Sequence, residues 1–269
     1  MDNFRVTRVK YDSYFEMDTS HVHDFYEIYY LLSGSRRYFI NDSIYNINKG
    51  DLVVISKGVI HKTTYGNERA HERIACKFNE KYINDIPEEK AAFEKLFSEN
   101  PVITLHPSRR EYVERLFRHI QSEYENPDDF SDDSGRALIH ELVICLIRLK
   151  KMYSGENQPN VDDSLMQEAA RYIRLNYSSP LTLESVAAHI NISPTYFSKK
   201  FKAATGFGYR EYLVNVRLQE AAKMLVETSL SITDIAIRCG FNDSNYFGDV
   251  FKKAKGISPM NYRKNNKFY

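Results

Sequence analysis

The C-terminal part of the chain contains an internal repeat. Residues 196–212 match residues 246–262, fifty positions further on, at seven identical positions: Tyr196/Tyr246, Phe197/Phe247, Phe201/Phe251, Lys202/Lys252, Ala204/Ala254, Gly206/Gly256 and Tyr212/Tyr262. Upstream, Ala187 matches Ala236 at an offset of 49, so one turn differs by a residue between the copies. Self-similarity at a fixed spacing indicates a duplicated structural unit. This region must therefore fold as two copies of one motif.

Each copy is predicted to form two helices joined by a tight turn. The predicted helices span residues 183–190 and 194–205, then residues 232–239 and 243–255. Ser193 followed by Pro194 is typical of a helix start, and Gly206 and Gly256 lie where the second helices should end. The repeated Phe, Phe and Ala fall at i, i+4 and i+7, which predicts one buried face. This pattern is typical of a helix-turn-helix, whose second helix enters the DNA major groove.

Charge is unevenly distributed along the chain. The formal net charge is only +1, but residues 163–269 carry 15 Lys/Arg against 9 Asp/Glu, and residues 1–162 carry the acidic excess. A basic region joined to an acidic one indicates two domains, one of which faces a polyanion. A plain bundle of duplicated helical hairpins is the alternative. DNA binding explains better why lysines recur beside both second helices, at positions 199, 200 and 202 and again at 252, 253 and 255.

Residues 181–263 resemble the DNA-binding domain of the AraC/XylS transcription regulators. The stretches that carry the resemblance are Ile235-Ala236, Gly240-Phe241, Tyr246-Phe247, Phe251-Lys252, Gly256, Ser258-Pro259 and Tyr262-Arg263. The resemblance implies two recognition helices in successive major grooves, joined by a long helix over about residues 208–226. It also implies the residues that read bases: Thr195, Ser198 and Lys199 in the first unit, and Ser244, Asn245 and Asp249 in the second.

The remaining basic residues of the two units are expected to bind the phosphate backbone. These are Lys200, Lys202, Lys252 and Lys253. Gly248 and Asp249 depart from the family, in which a small polar residue followed by Arg is common. Because a carboxylate repels phosphate and can only accept hydrogen bonds, we expect the second unit to read fewer bases than the first.

The front half of the chain is predicted to be β-rich up to about residue 80. Short aromatic or β-branched runs cover residues 25–32, 38–40, 44–47 and 52–56, and Asn41-Asp42 between two of them indicates a hairpin. The spacing of His21, His23, Glu27 and Gly34, followed by Gly50, Ser56, Gly58 and His61, resembles the two motifs of the cupin barrel. Ser56 departs from the usual proline, and Tyr65 from a frequent asparagine. The fold class is therefore α+β, with a cupin-like barrel and appended helices before an all-α domain.

The histidines of this half admit two interpretations. His21, His23, Glu27 and His61 would converge on one point, because alternation along a strand places residues of equal parity on one face. Three imidazoles and a carboxylate suit a first-row divalent metal, so such an ion is the one candidate cofactor. Alternatively, these residues and Tyr29 bind a small effector without metal, a carbohydrate or related metabolite. Aromatic residues in a small barrel are, however, often simply core.

Three helices are predicted between the barrel and the repeat, over residues 88–98, 109–125 and 136–152. The last is apolar almost all round, so the second and third helices form either a dimer interface or a core under the barrel. We expect a homodimer. A polar segment at residues 154–162 is predicted to link an effector-binding and dimerisation domain, 1–153, to a DNA-binding domain, 163–269.

The predicted function is a regulator of transcription that binds double-stranded DNA and responds to a small effector. RNA polymerase is a further expected partner. The three cysteines lie far apart and form no CxxC motif, which favours the reducing cytoplasm. The apolar runs are too short to span a bilayer, so no membrane is expected as a partner. The alternatives are a metal-dependent cupin enzyme that uses the histidines, or a regulator whose front domain only dimerises or binds a protein. We assign no catalytic residue.

Overall fold

The computed structural model describes residues 4–13, 23–83, 90–152 and 163–266. Eight strands occupy the front of the described chain: β1 Phe4–Tyr11, β2 Tyr26–Ser33, β3 Ser35–Ile40, β4 Ser43–Asn48, β5 Asp51–Ile55, β6 His61–Tyr65, β7 His71–Phe78 and β8 Val102–Thr104. They form one sheet in the order β1-β7-β2-β5-β8 and another in the order β4-β3-β6, with every pair antiparallel. The predicted hairpin is confirmed, since Asn41 turns the chain between β3 and β4 with φ 55°.

The two sheets enclose an apolar interior. Alternation along each strand turns one set of residues into it, namely Tyr29, Leu31, Tyr38, Ile40, Tyr45, Ile47, Val53, Ile55 and Ala75. The opposite face of the five-stranded sheet, with Ile28, Tyr30 and Leu52, belongs to a second core formed with the helices that follow. The barrel is therefore lined on the inside and covered on the outside by different residues of the same strands.

Helices α1 Lys90–Ser98, α2 Pro107–Glu125 and α3 Ser131–Met152 cover that outer face. The apolar stripe of α2 (Val113, Leu116, Phe117 and Ile120) is buried within the chain, as are Ile139, Leu142 and Leu146 of α3. The chain thus buries these faces itself, as a core under the barrel requires. α3 begins five residues earlier than predicted, because Asp132 and Asp133 lie in its first turn, where carboxylates favour the positive end of the helix dipole.

Seven helices follow: α4 Ser164–Leu175, α5 Leu183–His189, α6 Pro194–Thr205, α7 Tyr209–Glu227, α8 Ile232–Arg238, α9 Ser244–Lys255 and α10 Pro259–Asn266. Ser193 and Asp243 cap α6 and α9 by accepting hydrogen bonds from backbone N–H groups of the first turn. Gly206 and Gly256 end the same helices in the left-handed conformation, with φ 79° and 75°. The two predicted units are thus two helix-turn-helices joined by α7.

The two units are equivalent in backbone but not in surroundings. Phe197, Phe201, Phe247 and Phe251 are all buried, as predicted. Ala204 is also buried, but its counterpart Ala254 is exposed, so the expectation of a third buried position in both copies is wrong for the second. The core of the first unit extends to three barrel residues, Phe39, Ile44 and Ile60, whereas the core of the second unit contains none.

Polar contacts join the barrel to the helical region, and we call these the domain contact. Lys62 Nζ donates to the carbonyl of Gly206 at 2.7 Å, and the Tyr212 hydroxyl donates to the carbonyl of Asn41 at 2.7 Å. Further contacts join Gln167 to Ile44, Arg174 to Asp42, Arg37 to Asp163 and Lys255 to Asp24. The barrel therefore holds the C-terminal ends of both α6 and α9. The predicted linker, 154–162, lies outside the described residues. None of the described helices is long and apolar enough to cross a membrane.

Candidate nucleic-acid interface and effector site

The second helix of each unit presents the side chains predicted to bind DNA. Its buried phenylalanines fix one face in the core, so the opposite face points to solvent. All ten predicted residues lie exposed: Thr195, Ser198, Lys199, Lys200, Lys202, Ser244, Asn245, Asp249, Lys252 and Lys253. Each unit thus offers hydrogen-bonding groups and lysines on one accessible helix face, which is what base and phosphate contacts require.

Tyr196 and Tyr246 belong to the same surface and were not predicted from the sequence. They are 54% and 52% exposed, although each precedes a phenylalanine that is fully buried. The repeat could have indicated them, because both copies have tyrosine at this position. Core packing does not explain an identical residue at an exposed position. A tyrosine hydroxyl at the start of each second helix adds a matched donor to the two surfaces.

Lys255 differs from the other basic residues of the second unit. Its side chain is only 4% exposed, its Nζ lies 2.8 Å from Asp24, and it lies over the ring of Tyr262. Lys255 therefore faces the barrel, not the surface that carries Lys252 and Lys253. Together with the exposed carboxylate of Asp249, this leaves the second unit less basic than the sequence suggests.

The histidine site lies inside the barrel, and the structure describes three of its four predicted members. His23, Glu27 and His61 place one potential ligand atom each within 4.8 Å of one another. His23 Nε2 lies 3.0 Å from Glu27, and the rings of His23 and His61 meet edge to face. His21 lies outside the described residues. The predicted convergence is therefore found for three residues, which come from β2 with the segment before it and from β6 in the other sheet.

Hydrogen bonds orient both imidazoles. His23 Nδ1 lies 3.0 Å from the carbonyl of Phe25, and His61 Nδ1 lies 2.9 Å from the carbonyl of Val59. A backbone carbonyl can only accept, so Nδ1 of each ring donates to it. In a neutral His61 ring, Nε2 then carries a lone pair, which is the arrangement found in metal-ligating histidines. His23 differs, because its Nε2 faces the carboxylate of Glu27 at 3.0 Å and donates to it. His23 would have to give up this hydrogen bond to join a first-row divalent ion, although the residue types suit one.

Glu27, however, already has partners of opposite charge. Burial by itself would raise the pKa of this carboxyl. The hydrogen bond with His23 and the charges of Lys77, His61 and His23 outweigh burial and hold the pKa well below its ordinary value. Lys77 Nζ lies 3.3 Å from Glu27, so a metal ion here would have to share the carboxylate with an ammonium group.

The rest of the interior contains a second polar region, which the sequence did not reveal. Tyr29, a predicted effector residue, lies in the middle of β2 and is buried, and burial raises the pKa of its hydroxyl. Beyond it, at the other end of the barrel, Arg36, Arg73 and His71 share the inward parity of Tyr38 and Ala75. Desolvation and then the charges of Arg36 and Arg73 lower the pKa of His71 to about 4.

Both histidines of the described site directly precede residues of the domain contact. Asp24 follows His23 and binds Lys255, and Lys62 follows His61 and binds the carbonyl of Gly206, the residue that caps the end of α6. The interior site and the ends of both second helices are thus connected by adjacent residues.

Comparison with known proteins gives matches in both parts of the chain. A family described as an AraC-like ligand binding domain matches residues 10–143, and a helix-turn-helix domain family matches residues 186–265. The HTH-type transcriptional activator RhaR of Escherichia coli (strain K12) is 26% identical over 248 residues, which cover 90% of the chain and 86% of that protein.

Two solved structures illustrate the range of likeness. The C-terminal domain of AraT, a response regulator from Geobacillus stearothermophilus, is 39% identical, covers 39% of the chain and 88% of its own length, and has a TM-score of 0.38. ToxT from Vibrio cholerae O395 is 13% identical over 100% of both chains, with a TM-score of 0.41.

Proposed function

The chain belongs to the AraC/XylS family of transcription regulators, and from this we propose that it controls a promoter through both helix-turn-helix units in response to a small effector in the barrel. The observation that carries the proposal is the exposure of all ten predicted DNA contacts on two matched helices. The family consists of regulators, so the enzyme alternative is set aside. We further propose that the protein acts in the cytoplasm and, like the relative named as an activator, raises transcription through contact with RNA polymerase.

The two units are proposed to divide the recognition of DNA unequally. Lys199 would donate to the O6 and N7 acceptors of guanine, and Asn245 would pair with adenine. Lys200, Lys202, Lys252 and Lys253 would neutralise phosphates, and Tyr196 and Tyr246 would help to fix each helix on the backbone. Asp249 would accept from cytosine, so the second unit contributes fewer base contacts.

A pair of matched variants tests these roles on a duplex selected by the full chain from a random pool. We expect Lys199→Ala to lower the ratio of specific to non-specific affinity by about 5- to 150-fold, because a good base contact is worth ~1–3 kcal/mol. Lys252→Ala should weaken both kinds of binding alike and reduce the slope of log affinity against log salt by about 1. Lys95→Ala, on the exposed face of α1, is the control. If Lys252→Ala changed specificity and Lys199→Ala did not, the assigned roles would be wrong.

We propose that the effector is a carbohydrate or related metabolite that binds among His21, His23, Glu27, Tyr29 and His61. Support comes from an enclosed interior with buried polar groups. By linkage, the effector can shift the regulator between two states only by its difference in affinity for them. The route to DNA would be the domain contact, two of whose residues, Asp24 and Lys62, directly follow His23 and His61.

We propose a homodimer that uses a different surface of α2 and α3 from the apolar stripes considered in the sequence. Because the chain buries the apolar stripes of α2 and α3, a partner would contact their outer side, where Tyr112, Ile144 and Cys145 are partly exposed. Sedimentation velocity of the full chain and of an Ile144→Asp variant tests this. We expect a dimer that becomes a monomer in the variant with unchanged helix content. A monomer in both cases would contradict the proposal.

A further inference from the structure

Helix α7 belongs to the cores of both helix-turn-helix units. Its first half contributes Tyr212 and Val216 to the core of the first unit, and its second half contributes Leu218 and Ala221 to the core of the second. Arg217 lies between these two groups and is only partly exposed. A long charged side chain at the point where two cores meet can contact both units.

Arg217 donates hydrogen bonds to the segment that leads into the first unit. Its Nε donates to the carbonyl of Tyr177 at 2.9 Å, and its Nη2 donates to the carbonyl of Ser179 at 3.0 Å. Both carbonyls lie between the end of α4 and Thr182, which caps the start of α5. The ring of Tyr177 packs against both cores. The guanidinium group therefore fixes the backbone that precedes α5.

The same guanidinium group contacts the turn of the second unit. Its central carbon lies 5.8 Å from the centre of the Phe241 ring, and Phe241 is buried in the core of that unit. A cation over an aromatic face is attracted to the ring. The turn continues to Asp243, which caps the start of α9. Arg217 thus connects the backbone before α5 to the turn before α9.

Gly240 shows how closely the two units approach each other. It occupies the position in the second turn that Asn191 occupies in the first, at an offset of 49, and both residues have a positive φ, 84° and 56°. The turn itself therefore accepts a residue with a side chain. At Gly240, however, an added Cβ would lie 2.8 Å from the carbonyl oxygen of Tyr177 and 2.9 Å from Nη2 of Arg217. The second turn needs glycine because its backbone lies directly against this contact.

We propose that Arg217 sets the spacing of the two DNA half-sites that the protein accepts. It is a positioning residue, which holds the turn before α9 against the backbone before α5 and so fixes the distance and the rotation between α6 and α9. One inserted base pair moves a half-site by about 3.4 Å and rotates it by about 35°, so a fixed pair of helices distinguishes the two spacings. The inference rests on the proposed function, in which both units bind one duplex.

Binding of the full chain to a set of related duplexes tests the proposal. The set contains the duplex selected from a random pool, the same duplex with one base pair inserted or removed between the half-sites, and a duplex whose second half-site is replaced by unrelated sequence. The wild type should bind both shifted duplexes at least about tenfold more weakly than the selected one, because displaced base contacts are lost.

Arg217→Met keeps much of the apolar stem and removes the guanidinium donors. It should lower the affinity for the selected duplex about tenfold, because a looser connection reduces the effective concentration of the second unit at its half-site. The ratio of affinities for selected and shifted duplexes should fall to about threefold or less, because a looser pair of units tolerates a displaced half-site. Affinity for the single half-site and the slope of log affinity against log salt should stay those of the wild type.

Three variants test the same contact in other ways, and they also apply if Arg217→Met does not fold. Gly240→Ala crowds Arg217 and Tyr177 and should lower the ratio between selected and shifted duplexes. Asn191→Ala places alanine in the same left-handed position of the first turn and is the matched control, which should keep the wild-type ratio. Arg217→Lys retains the charge and one donor group and should restore part of the ratio.

Three results would overturn the inference. The first is a wild-type ratio between selected and shifted duplexes in Arg217→Met. The second is an equal loss of affinity of Arg217→Met for every duplex, the single half-site included, with the salt slope reduced by about 1, because a phosphate contact behaves in this way. The third is an equal effect of Gly240→Ala and Asn191→Ala on the ratio.

The wild-type protein separates this inference from the proposed function. If the wild type binds the selected duplex and accepts the shifted duplexes equally well, the two units do not bind one duplex together and both proposals fail. If the wild type discriminates against the shifted duplexes and Arg217→Met discriminates equally, the proposed function stands and only the role of Arg217 is lost.

Discussion

The repeat supplies an internal control for the strength of the domain contact. Gly206 and Gly256 end α6 and α9 in nearly the same left-handed conformation, with φ 79° and 75°. An added Cβ at Gly256 would meet nothing within 4 Å, whereas at Gly206 it would lie 2.8 Å from Cδ and 3.2 Å from Cε of Lys62, and 3.1 Å from Cγ2 of Thr64. Substitution by alanine therefore imposes the same backbone strain at both sites, but it crowds Lys62 and Thr64 only at Gly206.

The expected magnitudes follow from these contacts. The left-handed conformation costs alanine ~1–2 kcal/mol, so Gly256→Ala should lower the free energy of unfolding by about that amount. Gly206→Ala should cost up to ~1.5–3 kcal/mol more, the value of a hydrogen bond from a charged donor, because Lys62 can no longer reach the Gly206 carbonyl. Urea unfolding followed by circular dichroism measures both.

A Lys62→Ala background completes the cycle. With the lysine removed, the difference between the two glycine variants should shrink by about the ~1.5–3 kcal/mol assigned to the Lys62 hydrogen bond, and what remains reports the contact with Thr64. The reasoning is refuted if Gly206→Ala and Gly256→Ala are equally destabilising in the wild-type background, or if their difference is undiminished without Lys62.

Three further predictions concern single side chains. Phe251→Ala should cost ~3–5 kcal/mol, because the ring is fully buried, and should abolish binding by the second unit in footprinting; a half-site that stays protected would contradict this. His71 has a folded pKa of about 4, below that of the unfolded chain, so the unfolded state takes up the proton first and the protein loses stability as the pH falls from about 6.5 to 4. His71→Gln should therefore make the melting temperature depend less on pH in this range, and an unchanged dependence would be contrary evidence. Lys77→Met should increase the affinity for Zn²⁺ at the histidine site, measured by calorimetry, because it removes a positive charge 3.3 Å from Glu27. If the double variant Lys77→Met/His61→Ala bound Zn²⁺ as tightly as Lys77→Met alone, the ion would bind elsewhere.

Local signals explain what the sequence could reveal about the fold. The second helices begin within one residue of the predicted positions, because Ser193 and Asp243 as caps and Gly206 and Gly256 as stops act within one turn. The hairpin at Asn41 was predictable for the same reason. The start of α3 was missed, since an acidic, glycine-containing segment reads as a loop unless its charges are recognised as favouring a helix N-terminus.

Contacts between distant segments explain what was missed. The second polar region of the barrel interior brings together Arg36 on β3 and Arg73 on β7, which lie in different sheets, so neither arginine stands out in its own segment. Lys255 continues a basic pattern along α9 but is turned to Asp24, more than 200 positions away. Ala254 matches Ala204 in sequence, yet only the first unit has a barrel sheet against it.

The adjacency of His23 to Asp24 and of His61 to Lys62 sets the length of the route between ligand and DNA. Consecutive Cα atoms are about 3.8 Å apart. A group that moves either histidine has to transmit its displacement across one peptide unit to reach a residue that holds the end of a recognition helix. Coupling between distant sites usually requires a long chain of interacting side chains. Here the residue in the interior site and the residue that contacts the helix are consecutive in the barrel strand region, so no such chain is needed.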